Sequence, residues 1–172
     1  TETDLALFDA GFALIDAVRH GIGTCVVRLA KNCTFGETPG KIPPRTASMG
    51  RTPSRHQAVV MRPLARQHGD NLLPASAATQ TDTLVDEAGV ETKIEVWSPV
   101  YFLERHLDRV ENEALKPKLR QVPLKVVAIH HPDFNDPLLL GTPVLALTPS
   151  SLQAIYPQRW PIEGIPQTGK YL

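Results

Sequence analysis

Four side chains near the carboxyl-terminal end of the chain stand at spacings that would put them on one side of a helix. These are Tyr156, Arg159, Glu163 and Lys170. At about 100° per residue, the last three fall within about 60° of Tyr156. Cations hold phosphate oxygens and a carboxylate holds a divalent ion, so such a face could bind metal and nucleic acid. Spacing alone favours a simpler interpretation, an Arg159–Glu163 ion pair on an exposed helix.

The helix that would carry this face begins at Thr148 and Pro149. Threonine caps helix N-termini, and proline fits the first helical position. We predict that the helix continues through Glu163. Pro157 and Pro161 each remove a backbone hydrogen bond from it. Both lie opposite the four-residue face, so the face should persist but be less regular than on an ideal helix.

The chain opens with a strand, a helix and a second strand. Residues 5–8 form a short apolar run, and Asp9 with the two residues after it forms a strand-to-helix turn. Residues 12–20 have helical spacing, and residues 25–29 form a second apolar run. We therefore predict a βαβ unit with two parallel strands.

Residues 34–71 are rich in proline and glycine, and they have no acidic side chain between Glu37 and Asp70. Their lysines and arginines in that interval are Lys41, Arg45, Arg51, Arg55, Arg62 and Arg66. Unopposed cations of this kind are typical of a surface that contacts a polyanion. The alternative is an ordinary solvated loop.

The remaining patterns predict strands at 57–61, 93–97, 124–129 and 138–147, with the last two forming a hairpin. Residues 72–90 are polar and weakly patterned, which predicts a loop. Residues 103–120 are charge-rich and predict a short helix or a loop.

Three kinds of candidate site have simpler interpretations. His130 and His131 are neighbours on a strand and would point to opposite faces, which favours hairpin-end residues over metal ligands. Cys25 and Cys33 have no histidine at metal-binding spacing, so we predict that they pack in the core. Trp97 is predicted to pack between strands rather than to stack on an unpaired base.

Composition limits the class of protein. The 172 residues include 18 basic and 18 acidic side chains, and 42% of them are hydrophobic. These values predict a globular domain and exclude a polycation. No apolar run approaches the roughly 18 residues that a membrane-spanning helix needs, so we expect no membrane partner.

Two motifs resemble those of one enzyme family. The segment from Tyr156 to Lys170 resembles the Tyr-x2-Arg-x3-Glu-x6-Lys signature of bacterial insertion-sequence transposases with a DDE catalytic triad. The run Leu7-Phe8-Asp9-Ala10-Gly11-Phe12 looks like the second-aspartate motif of that family. Segments 26–32 and 138–142 are similar to the strands that follow this aspartate and precede the glutamate helix. The resemblance covers the whole chain in outline, and the middle matches by position alone.

The resemblance implies an α/β fold, a partial ribonuclease-H-like fold with a mostly β and coil insertion before the last helix. Core residues would be 1–33 and 138–172, and the insertion would be 34–137, first basic and proline-rich and then β. Asp9 would be the second catalytic aspartate and Glu163 the catalytic glutamate, both of them metal ligands. Tyr156, Arg159 and Lys170 would contact DNA phosphates.

The family's chemistry is DNA end cleavage and strand transfer with two Mg²⁺ or Mn²⁺ ions. The resemblance also implies transposon-end and target DNA as partners, a homodimer in the DNA complex, and the nucleoid of the bacterial cytoplasm as the location.

The family's first catalytic aspartate has no counterpart in this chain. Asp4 precedes Asp9 by five residues, which on a strand places the two on opposite faces. We therefore expect a chain truncated upstream of the first aspartate and inactive by itself. Two alternatives remain, an inactive DNA-binding remnant of a transposase and a metal-dependent nuclease of the same fold.

Overall fold

A six-stranded mixed sheet organises the computed structural model, which describes residues 4–9, 11, 13–39 and 59–155. The strands of this sheet, in spatial order, are β1 (Ala6–Phe8), β2 (Cys25–Arg28), β10 (Leu138–Thr142), β9 (Leu124–His130), β8 (Glu91–Val100) and β7 (Gln80–Val85). Helices accompany the sheet, so the predicted mixed α/β class is confirmed.

The predicted opening unit is confirmed. β1 is joined to β2 through helix α1 (Leu14–Arg19), and the two strands pair in parallel with Phe8 opposite Val27. Every other pairing in the large sheet is antiparallel among the described strands. β1 is therefore the parallel edge of an otherwise antiparallel sheet.

The predicted hairpin is confirmed, with a shorter second strand. β9 pairs with β10 from Leu138 opposite Ile129 to Thr142 opposite Lys125. The predicted strand 138–147 ends early because Pro143 has no N–H to donate to the ladder. The hydroxyl of Thr142 instead accepts a hydrogen bond from Val144 N at 3.0 Å.

The prediction of a loop at 72–90 is wrong. β7 occupies Gln80–Val85 and pairs along its whole length with β8, which is longer than the predicted strand 93–97. β7 is a mostly exposed edge strand, so it needs few apolar residues and gives a weak sequence signal. Because β8, β9 and β10 are hydrogen-bonded neighbours, the sheet is continuous across the predicted insertion boundary at residue 137.

Smaller elements surround the sheet. They are the pair β3 (Phe35–Gly36) with β4 (Val60–Met61), the hairpin β5 (Arg66–His68) with β6 (Asn71–Leu73), helices α2 (Glu104–Leu107), α3 (Lys116–Arg120) and α4 (Pro149–Ile155), and a 3₁₀ turn at Glu113–Leu115. The two helices and the turn between 104 and 120 agree with the predicted short helix. Among the described residues no helix is long and apolar enough to cross a membrane.

The two faces of the sheet bury separate cores. On one face, Leu14 and Ile15 of α1 pack with Val27 and with residues of β8, β9 and β10. On the other face, Leu152 of α4 packs with Val26 and with alternate residues of the same strands. The two helices therefore lie on opposite sides of the sheet.

Glycine at position 141 lets α1 lie close to β10. A Cβ atom built there would be 2.9 Å from Leu14 Cδ2 and 3.0 Å from Leu29 Cδ1. Both leucines lie against the α1 side of the sheet. The absence of a side chain at Gly141 thus sets the helix-to-sheet distance next to the opening unit.

Candidate active site beside Asp9

Asp9 follows directly after β1, at the carboxyl end of that strand. Because β1 and β2 are parallel, their carboxyl ends meet at the same edge of the sheet, and Arg28 at the end of β2 lies beside Asp9. Arg28 Nη1 is 3.7 Å from Asp9 Oδ1, and about two fifths of each side chain is exposed, 41% and 42%. The pair is open to solvent and to a ligand.

The alternation of side chains decides on which side of the sheet this pair lies. Leu5, Leu7 and Val26 pack in the core beneath α4, whereas Phe8 and Val27 pack in the core beneath α1. Side chains alternate along a strand, so Asp9 follows Leu7 and Arg28 follows Val26 onto the α4 side. The carboxylate and the helix predicted to lead to Glu163 thus share one face of the sheet.

The start of α4 is the predicted one. Thr148 Oγ1 accepts a hydrogen bond from Ser151 N at 3.2 Å, and Thr148 O accepts one from Leu152 N at 3.1 Å. Pro149 is the first helical residue. Thr148 is therefore the N-cap, and the buried Leu152 fixes α4 to the sheet.

A cleft of about 650 Å³ opens next to Arg28. Its walls come from the end of β2 with Lys31, from the turn between β9 and β10, and from Gln153 on α4. Lys31 forms an ion pair with Asp136 of that turn, and His131 lies against Phe134 with ring centroids 5.6 Å apart. The cleft thus lies between Arg28, α4 and a turn that has both charged and aromatic side chains.

Most predicted DNA-contacting residues fall outside the described part of the chain. These are Tyr156, Arg159, Lys170, Lys41, Arg45, Arg51 and Arg55, and the predicted catalytic Glu163 lies outside it as well. Of the described ones, Arg66 is exposed on β5 and Arg62 is half-buried just before it. The meeting of Asp9 with Glu163 therefore stays a prediction.

Sequence reasoning missed Arg28, Lys31 and Gln153 as neighbours of the candidate site. Their proximity depends on the register of β1 against β2 and on the seat of α4. A local residue pattern predicts neither the strand register nor the position of α4. The predicted parallel βαβ unit does imply that the carboxyl ends of its two strands lie at the same edge of the sheet. Asp4 is exposed and precedes β1, and its exclusion as a metal ligand stays a prediction.

The residues given simpler interpretations behave as structural groups. Trp97 is buried and its Nε1 donates to Ser76 O at 3.2 Å. Burial raises the pKa of the Cys25 thiol to about 11 and that of Cys33 to about 12, so both are poor nucleophiles. Neither cysteine forms a disulfide.

His130 belongs to a polar cluster on the sheet. Its Nε2 is 2.7 Å from Glu95 Oε2, and Lys93 Nζ is 3.0 Å from Glu95 Oε1. Partial burial raises the pKa of Glu95, but hydrogen bonds from Lys93 and His130 outweigh burial and hold it below its ordinary value. Within the described ranges no three His, Cys, Asp or Glu side chains are grouped as metal ligands.

Comparison of the chain with protein-family models, with curated proteins and with solved structures gives no match. The two motifs and the geometry around Asp9 are therefore the observations that bear on function.

Proposed function

We propose that this chain is part of the catalytic domain of a DDE transposase with a ribonuclease-H-like core. One observation carries the proposal. Asp9 directly follows β1 on the sheet face where α4 packs, and in the sequence α4 is followed by the segment from Tyr156 to Glu163. The carboxylate of the first motif and the helix that precedes the second motif in the sequence therefore lie on one face of the sheet, which supports the proposal.

The ligand chemistry of this site fits a hard divalent cation. Carboxylate oxygens are the ligands that Mg²⁺ and Mn²⁺ prefer, and the carboxylate of Asp9 is partly exposed. When bound, two such ions supply an activated attacking oxygen and a stabilised leaving oxygen for phosphoryl transfer. Asp9 and Glu163 would hold a metal, and Tyr156, Arg159 and Lys170 would orient DNA phosphates beside it.

The substrate of this proposal is DNA, in the form of transposon ends and target, in the bacterial nucleoid. A homodimer would assemble on the two ends. Only two carboxylates match the family's three, so we expect this chain to lack cleavage activity until a strand with the first aspartate is present.

Arg28 supports a second candidate, a DNA-binding remnant that does not cut. Its guanidinium lies 3.7 Å from the carboxylate that would bind metal. A cation at that position competes electrostatically with a divalent ion. Replacing Arg28 with alanine should therefore tighten Mn²⁺ binding if Asp9 is a metal ligand, and leave it unchanged if Asp9 serves only as the ion-pair partner.

Metal-dependent cleavage of a supercoiled plasmid tests the proposal. The plasmid carries the genomic DNA that flanks the coding sequence, where the ends of an insertion sequence would lie. Three proteins are compared with Mg²⁺ or Mn²⁺: this chain, the chain extended at its amino end by a strand with an aspartate, and the extended chain with Glu163→Ala. We expect cutting at the flanking DNA by the extended chain alone.

Two results would contradict the transposase assignment. Equal cutting of a plasmid without the flanking DNA would indicate a nuclease. No cutting by any protein, with DNA binding retained, would indicate the remnant. Cutting at the flanking DNA by the unextended chain would overturn the expected inactivity and indicate a third ligand within the 172 residues.

A further inference from the structure

The hairpin formed by β5 and β6 projects from the fold and contributes almost nothing to its core. Seven of the eight residues from Arg66 to Leu73 are exposed, and Leu73 is half-buried. An isolated two-stranded hairpin of this length is at best marginally stable in water. Packing against the core therefore does not account for the presence of this hairpin.

The base of the hairpin is fixed to the main sheet. Arg62 N donates to Ser76 Oγ at 2.9 Å, and Ser76 N donates to Arg62 O at 2.7 Å. Ser76 O also accepts the bond from Trp97 Nε1, and Trp97 is buried in β8. Leu64 and Ala78 pack on the core on either side of this closure. The hairpin therefore projects from a base that is held to the main sheet by hydrogen bonds and by apolar packing.

The tip of the hairpin is also well defined. The strands join through a two-residue turn, Gly69 and Asp70, and Gly69 has a φ of 58°. Glycine with positive φ at the first central position is typical of the type II′ turn, which suits the twist of paired strands. The Gln67 side chain donates to Gly69 O at 2.8 Å and braces the turn.

One face of the ribbon presents hydrogen-bonding side chains outward. Arg66 lies opposite Leu73, and His68 lies opposite Asn71, so Arg66, His68 and Asn71 share a face with the half-buried Leu73 at its base. All three are exposed. Gln67 and the exposed Leu72 lie on the other face.

We infer that the β5–β6 ribbon enters the major groove of duplex DNA and reads base edges with Arg66, His68 and Asn71. The inference rests on the proposed DNA function and adds sequence recognition to it. The major groove, about 12 Å wide, admits a two-stranded ribbon whose strands are about 4.8 Å apart. Arginine pairs with guanine and asparagine with adenine in that groove.

Charge supports DNA over a protein as the occupant. In the sequence, the segment before the hairpin has five lysines and arginines from Lys41 to Arg62, and no acid occurs between Glu37 and Asp70. Cations next to a reading element hold phosphates and fix its register. The acid at the tip, Asp70, is compatible with a groove because a carboxylate accepts from the cytosine amino group.

Selection from a random-sequence duplex library tests the inference with the full 172-residue chain. We expect the wild-type chain to enrich a short motif. In the double variant Arg66→Ala, Asn71→Ala, the preference for the correct base should fall by about 5- to 150-fold at each contacted base pair. The affinity for duplex DNA of any sequence should fall by less. Leu72→Ala, on the opposite face of the ribbon, is the matched control and should keep the motif.

The outcomes separate this inference from the proposed function. Binding of all duplexes without a motif, or a motif that the double variant retains, would overturn base reading by the ribbon and leave DNA binding intact. Failure of the wild-type chain to bind any duplex at low salt would overturn the DNA function itself. If Leu72→Ala abolishes the selected motif and the double variant keeps it, the opposite face of the ribbon contacts the bases, and the inference is overturned.

Discussion

His106 should make the stability of this protein depend on pH between about 4 and 6.5. Its ring is stacked on Phe35 at 5.4 Å between centroids and meets the edge of Phe102 at 5.7 Å. Its pKa is lowered from 6.5 to about 4, first by burial and second by the nearby positive charges of Arg105 and Arg109. The ring Nδ1 accepts a hydrogen bond from Leu103 N at 2.9 Å, which requires that nitrogen to be unprotonated.

The sign and size of the effect follow from linkage. Between the two pKa values the unfolded chain binds a proton that the folded chain does not, so stability is fully present above about pH 6.5 and falls as the pH falls toward about 4. At 1.36 kcal/mol per pH unit, the loss reaches about 2 kcal/mol at pH 5 and about 3 kcal/mol below pH 4. That is a substantial part of the roughly 5–15 kcal/mol that stabilises a typical domain.

Urea unfolding of the wild type and of His106→Asn at pH 8, 6.5 and 5 measures the effect. Asparagine keeps an acceptor for Leu103 N but carries no group that ionises in this pH range. The unfolding free energy of the wild type, relative to that of the variant, should therefore fall by about 2 kcal/mol between pH 8 and pH 5. His68→Asn on the exposed β5 is the control and should track the wild type. A difference that is the same at all three pH values would refute the reasoning.

Three further predictions concern packing and reactivity. Arg120 forms a two-point ion pair with the buried Glu104, at 2.5 and 3.1 Å. Arg120→Met should lower the unfolding free energy by about 3–5 kcal/mol because it leaves the buried carboxylate unpaired, and adding Glu104→Gln should restore part of that loss. Gly141→Ala should cost about 1–3 kcal/mol through its clash with Leu14, whereas Gly23→Ala, which has open space, should cost far less in the same denaturation assay. Both cysteines should react slowly with iodoacetamide in the native protein at pH 8 and quickly after unfolding, because burial raises their thiol pKa values. Fast labelling of either cysteine in the native protein would contradict this prediction.

The sequence predicted those elements whose apolar pattern is strong and local. β9 and β10 are mostly apolar, and Thr148 with Pro149 marks a helix start. The opening strand and helix are separated by a turn that begins at Asp9. In each of these, neighbouring residues alone determine the element.

Elements that depend on distant partners could not be predicted in this way. β7 is polar and exposed, and it is a strand because β8 supplies its hydrogen-bonding partner. The proximity of Arg28 to Asp9 likewise depends on the register of two strands, and the seat of Gln153 on the cleft depends on the packing of Leu152. Pairing and packing across the chain are set by the whole fold, which a residue pattern does not contain.

Iron-directed backbone cleavage of the full chain tests most directly whether Asp9 and Glu163 share a metal ion. Fe²⁺ replaces Mg²⁺ at oxygen ligands and, with ascorbate and peroxide, cuts the backbone next to where it is bound. We predict cuts near both residue 9 and residue 163, and both should disappear in Asp9→Asn and in Glu163→Gln while Asp4→Asn keeps them. Cutting near residue 9 that survives Glu163→Gln, with none near residue 163, would contradict a shared metal site.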